Sequence, residues 1–177
     1  MNDEIDPYNL NWRIPAENEP RKILFTDFQV DYPIMGGWGY TKESPVIFSN
    51  DEAGIPDFLY RNFVSFEYSF AQQRTFEELI IFRGPENSFA GIQFSLNSQS
   101  LQHHNGRKFD YLNFKVTAMP SAIFNSLRSE YEDILKIQNE IEKNSKLEEN
   151  LAAKHFFTVS VDKEFWFDIT DPFSKLV

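Results

Sequence analysis

The chain has no cysteine among its 177 residues, which excludes a disulfide framework, a thiol nucleophile and any thiolate-ligated zinc or iron–sulfur site. Histidine is almost as scarce, at three. His103 and His104 are adjacent, so in extended backbone their rings point to opposite faces, and His155 is remote from both. With no i, i+4 pair and no carboxylates at ligand spacing, nothing predicts a metal site. Long apolar runs are missing too. No stretch approaches the roughly 18 residues needed to cross a bilayer, and the opening Met1-Asn2-Asp3-Glu4-Ile5-Asp6 is acidic where a secretory signal would be basic and then apolar. The expectation is a cytoplasmic protein without membrane attachment and without a cofactor. Positive charge is short as well: 17 Lys and Arg stand against 27 Asp and Glu, a formal net charge of −10. Such a balance repels nucleic-acid phosphates and makes a basic protein the natural partner.

Catalytic signatures are equally sparse. Gly37-Trp38-Gly39 offers the start of a dinucleotide fingerprint, but its third glycine position is Lys42, and no phosphate loop follows. There is no Gly-x-Ser-x-Gly elbow. Glu77 and Glu78 are adjacent carboxylates that would diverge in a strand. A Ser or Thr with His155 and an Asp has nothing in the sequence to favour it. No catalytic residue is assigned, and the chain reads as a non-enzymatic protein.

What is present is aromatic: 19 Phe beside 7 Tyr and 3 Trp, enough to build a phenylalanine-rich core without invoking chemistry. The length suits a single domain, 1–177, with the proline-containing, aperiodic residues 1–20 as an extended arm anchored by Trp12 and Ile14. Residues 22–28 and 45–49 read as strands on either side of a glycine loop at 36–39. Leu59, Phe63, Phe66 and Phe70 recur at helical spacing, giving a helix over about 56–71 begun by Pro56. Residues 79–82 read as a strand, although Thr75 and Glu78 would also fit a capping box. Alternation on both sides of Asn105-Gly106 predicts a hairpin. Ile123, Leu127, Tyr131, Ile134 and Ile141 trace a second helix over about 121–150, with a break near 144–145 where Asn144-Ser145 precedes Glu148. Phe157, Val159 and Val161, then Phe165, Phe167 and Ile169, read as two strands turning at Asp162-Lys163. The sum is an α+β fold: an antiparallel or mixed sheet of about six or seven strands with two principal helices.

Two features could engage a partner. Trp38 and Tyr40 sit on the glycine run, where a tight turn would display them as anchors. Between residues 128 and 150 seven acids face four bases. The plain account is a solvated helix face with pairs such as Glu132 with Lys136 and Glu142 with Lys146; the functional account is an acidic docking face that speeds encounter with a basic target.

The stretch Gly36-Gly37-Trp38-Gly39-Tyr40-Thr41-Lys42-Glu43, followed by residues 45–48, resembles an opening segment of small bacterial proteins of the toxin-immunity type. The resemblance covers residues 36–48. It implies a cofactor-free cytoplasmic protein that binds and neutralises a toxin, and it assigns no residue a role. The expected function is therefore an immunity-type inhibitor of a basic toxin, acting by occlusion. Trp38 and Tyr40 would be its anchors, with Glu43, Glu140, Glu142, Glu148 and Glu149 for steering and rim contacts. The alternative is a small-ligand-binding protein or hydrolase with a pocket near the glycine loop, using Trp38, Tyr40 and His155. A homodimer through the long helix near Ile134 and Ile141 is a third arrangement.

Overall fold

The structure is a computed structural model and describes residues 9–48 and 63–170. The expected helix start at 56–62, the N-terminal eight residues and residues 171–177 lie outside the described residues. The fold is α+β, with one mixed five-stranded sheet in the order β1-β2-β5-β4-β3. The strands are β1 (Ile34–Thr41), β2 (Ser44–Phe48), β3 (Phe89–His104), β4 (Arg107–Pro120) and β5 (Val159–Asp168). All neighbours are antiparallel except β2 with β5. Four α-helices are described: α1 (Pro20–Phe28), α2 (Phe63–Phe76), α3 (Ser121–Ile134) and α4 (Glu140–Phe157), with a π-helical turn at Glu77–Ile81 continuing α2.

The run at 22–28 is helical, not a strand. Pro20 is pre-set for a first helical turn, and Gln29, in the left-handed region at φ 58°, ends the helix by donating its N–H to Phe25 O. The i, i+4 pair Leu24 and Phe28 packs inward while Phe25 stands exposed, so tertiary burial overrides the β-propensity of Ile-Leu-Phe-Thr. The glycine run is likewise β1, not a loop. Gly39 has φ 73°, and a Cβ there would stand 2.9 Å from Trp166 O of β5. The glycine therefore lets one backbone approach another.

The stripe Phe66, Phe70 holds in α2 and is buried, but the helix runs on to Phe76 and then widens into the π turn where a strand over 79–82 was expected. Leu79 is fully buried there. The hairpin of β3 and β4 forms as anticipated, with Asn105 and Gly106 both at positive φ and His104 paired to Arg107. The break in the second helical region comes at 135–139, earlier than 144–145. Asn139 caps α4, its Oδ1 accepting from the N–H groups of Ile141 and Glu142 at 3.0 and 3.2 Å. Asp162-Lys163 is no turn: β5 passes straight through it, pairing along β4 from Val159 to Asp168. Lys163, Phe165 and Phe167 alternate onto one buried face, so a lysine that looks like a turn residue is part of the core. Merging these two segments, turning two others helical and adding the glycine run as β1 gives five strands.

The core lies between α2 and the sheet. Phe70 meets Phe167 edge to face at 5.7 Å, Tyr68 meets Phe114 at 5.1 Å, and Phe114 meets Phe165 at 5.8 Å. Each fully buried phenylalanine contributes about 2–3 kcal/mol by area.

Candidate functional site

Two of the expected partner anchors face inward. Trp38 is only 2% exposed, and its indole Nε1 donates to Asn18 O at 2.8 Å. Tyr40 is half-buried; its hydroxyl donates to Glu78 Oε1 at 2.8 Å and accepts the N–H of Ile14 at 2.8 Å. Both satisfy their polar atoms on the chain itself, as a buried Trp or Tyr must, and both hold residues 14–18 against the body. Placing Trp38 and Tyr40 as an exposed display is corrected accordingly.

Around Tyr40 lies a buried ionic network that sequence reading missed. Arg74, Glu78 and Lys163 are all nearly inaccessible. Glu78 Oε2 accepts from Lys163 Nζ, and Oε1 lies 3.2 Å from Arg74 Nε. Lys163 also donates to Leu10 O at 2.8 Å, while Arg74 donates to Trp38 O at 2.9 Å and to Glu164 O at 2.7 Å. Arg83 donates to Asn9 O and to Glu78 O. Burial pushes the Lys163 and Arg74 pKa values down, against the opposing pull of Glu78, and burial together with the Glu78 charge holds the Tyr40 hydroxyl protonated far above its ordinary range. Leu10, Asn9, Ile14 and Asn18 each receive one of these bonds, so the network is what holds the 9–18 segment down. Its sequence signal was a charge standing inside an apolar stripe: Arg74 four after Phe70, and Lys163 two before Phe165.

A cavity of about 150 Å³ opens beside this network, bordered by Arg13, Tyr40, Arg74, Glu78 and Lys163. That is below the roughly 300–1,000 Å³ of small-ligand sites, and its Glu78, Lys163 and Arg74 already pair with one another. His155 lines none of it; it sits exposed on α4 beside a different groove.

Two further glutamates, dismissed or unnoticed in sequence, are also sealed. Among the described residues no amide or hydroxyl donor reaches either carboxyl oxygen of Glu67 or Glu77. Each faces another acid, Asp110 and Asp27 respectively. Burial first, and then the facing carboxylate, push Glu67 up to about 9 and Glu77 up to about 8. Both are held as neutral acids at pH 7.

A further groove opens on the outward surface of the helical pair α3–α4. The two helices are tied by Asn150, whose Nδ2 donates to Leu127 O at 3.0 Å and to Glu130 Oε2 at 2.9 Å. Between them a groove of about 420 Å³ is lined by Met119, Phe124, Leu127, Tyr131, Leu147 and Leu151, with Arg128, Asn150 and Lys154 on its border. It shares Met119, Phe124, Leu151 and Lys154 with a second cavity reaching Gly91 and Gln93 of β3. Ile141 and Phe156 stand 84% and 80% exposed on α4. The acids Glu140, Glu142, Glu148 and Glu149 are exposed on the same helix, and Glu43 is exposed at the β1–β2 turn, apart from them. Two intrahelical pairs differ from those the spacing suggested: Lys136 pairs with Asp133 at 2.7 Å and Glu132 with Arg128 at 3.3 Å. Among the described residues no cluster of three or more His, Asp or Glu is placed to hold a metal ion, and no helix is long and apolar enough to cross a membrane.

Comparison with protein-family models, with curated proteins and with solved structures gave no match.

Proposed function

We propose that this chain is a non-enzymatic protein-binding protein whose docking surface is the α3–α4 pair. The observation that carries the reading is the apolar groove of about 420 Å³ on a pair whose α4 also leaves Ile141 and Phe156 in water beside four exposed glutamates. Scattered exposed apolar residues are ordinary, but an apolar groove bordered by Arg128 and Lys154, on a helix pair that also carries exposed apolar side chains and acids, has the composition of an interface. The fitting partner is a basic protein with apolar side chains to seat between α3 and α4. Such a partner suits an immunity-type inhibitor of a basic toxin, working by occlusion, with Trp38 and Tyr40 assigned to the chain's own fold. The ligand-binding alternative is weaker because the cavity near Tyr40 is small and its Tyr40, Glu78 and Lys163 already bond one another.

The test is capture from the native host's lysate, followed by binding kinetics with the recovered partner. A basic protein retained one to one by the wild type should be released by the pair Y131S and L151S, both exposed and lining the groove, each truncation weakening binding by about 2 kcal/mol if it fills a hot spot. Charge reversal at Glu148 and Glu149 should slow association and flatten its salt dependence. Binding that survives the Tyr131 and Leu151 changes, or an association rate unmoved by reversal, overturns the assignment of this surface.

A further inference from the structure

The sheet has two edges, and they are treated differently. β1 is short, has a register shift between Gly36 and Thr41, and has α1 packed against it. β3 is sixteen residues long, pairs with β4 on one side, and among the described residues has no strand on the other. From Ser95 to Gly106 every residue is exposed. Edge strands offer a row of unpaired N–H and C=O groups, and proteins ordinarily blunt them with charge, proline, bulges or a cover. β3 has no Asp, Glu, Lys, Arg or Pro from Phe89 to His104, in a chain where 25% of residues are charged and a run of sixteen would ordinarily hold about four. Its two register shifts lie between Ala90 and Gln93 and between Leu96 and Ser98. Beyond them the ladder with β4 runs regularly through Ser98–His104, a straight edge of seven residues and about 23 Å.

We propose that this edge is an interface between two copies of the chain, paired antiparallel about a two-fold axis at Leu101, so that two five-stranded sheets join into one of ten. The object complementary to a bare strand edge is another strand. A second copy is the fitting occupant because this stretch is self-compatible. In a two-fold pairing centred on Leu101, Ser100 opposes Gln102, Gln99 opposes His103 and Ser98 opposes His104, each pair lying on one face because the register sum is even. No acid or base meets its like anywhere along the ladder, whereas most other approaches between copies of a chain with net charge −10 bring acids together. Leu101, 59% exposed, would meet its own copy at the centre with polar residues on either side, the arrangement of apolar middle and polar rim that stable contacts share. The interface lies at the far end of β3 from Gly91 and Gln93, which border the cavity beside α3–α4, so this inference stands or falls apart from the proposed function.

Sedimentation of the full chain over about 1–100 µM, a range that detects dimers of micromolar affinity, should show twice the chain mass. The variant S100K/Q102K places lysines opposite one another across the axis and should leave a monomer, weakening association by about tenfold or more. Mixing S100K/Q102K with S100E/Q102E, each monomeric alone, should restore a mixed dimer, which a merely misfolded S100K/Q102K could not do. Because the chain has no cysteine, L101C should cross-link to its own copy on mild oxidation, while I141C on α4 should not. A wild type that stays monomeric at the top of the range, a dimer that persists in S100K/Q102K, or cross-linking through I141C in place of L101C would each overturn the proposal.

Discussion

Replacing Glu67 by Gln isolates the energetics of an acid sealed against an acid. Glu67 is fully buried on α2, facing Asp110 of β4, and its carboxyl is pushed up to about 9 from an ordinary 4.5. Below pH 4.5 both folded and unfolded chains hold the proton and the site is at its most favourable. Between 4.5 and 9 the folded chain keeps a proton that the unfolded chain has released, so stability falls by about 1.4 kcal/mol per pH unit for this one group. Above 9 there is nothing further to lose. Over pH 6 to 8 the loss from Glu67 is about 3 kcal/mol by this slope, reduced to about 2 kcal/mol where water reaching the half-buried Asp110 screens the pair. Asp110 is also raised by burial, and its Oδ2 accepts from Gln99 Nε2 at 2.7 Å, so the two carboxyls titrate as a unit sharing one proton. Glu67→Gln keeps the shape and supplies a permanent N–H donor to Asp110 without titrating.

The assay is urea unfolding of the wild type and E67Q at intervals from pH 5 to 9, comparing extrapolated stabilities. The variant should gain on the wild type as pH rises, by about 2 kcal/mol between pH 6 and 8, while Glu77, pushed up to about 8 beside Asp27, leaves a residual downward slope in both. Parallel pH profiles for the two proteins would refute the reasoning, because they would mean that Glu67 carries the same charge folded and unfolded.

Lys163→Met should destabilise by about 3 kcal/mol or more, since it strips a cation from the fully buried Glu78. The double change E78Q/K163M should be milder than the sum of its singles by about 1–3 kcal/mol in a urea-denaturation cycle, and simple additivity would show that the two do not form a pair. Asn139→Ala should lower stability by about 1 kcal/mol through loss of the α4 cap, whereas Asn144→Ala, in an exposed turn of the same helix, should stay within about 0.5 kcal/mol. Equal effects at the two positions in thermal or chemical melts would place the helix start elsewhere.

The parts of the fold legible in the sequence are those where one local signal acts alone. Asn105-Gly106 is one, because two adjacent positive-φ positions leave a chain little choice but a tight hairpin. The Phe66 and Phe70 stripe is another. The buried charges are illegible for one reason: their partners lie far along the chain. Lys163 reads as a turn until Glu78, 85 positions earlier, is seen to accept a hydrogen bond from its ammonium. Glu77 and Glu78 read as unremarkable neighbours until the π turn, by adding a residue to the helical ring, carries both into the interior. The break after α3 was read at Asn144 because its spacing to Glu148 imitates a capping box, but the groups actually left over at a helix start are those after Asn139, and its side chain reaches two of them.

Trp38 and Tyr40 fail as anchors for the same long-range reason, and their correction changes how the acids on α4 are to be weighed. An aromatic on a glycine-rich segment suggests display, but each of these has its polar atom bonded to residues 14–18, so neither stands free at a turn as expected. Glu140 and Glu142 occupy the first turn of α4, where the helix dipole alone is reason enough for an acid, and Glu140 lies 3.8 Å from Lys143. Glu148 and Glu149 are mid-helix, exposed, and gain nothing from the dipole. If α3–α4 is the docking surface, the charge that the fold itself does not explain is therefore at Glu148 and Glu149, one to three positions from the groove-lining Leu147 and Leu151. That proximity ties steering charge and apolar contact to one short segment of one helix.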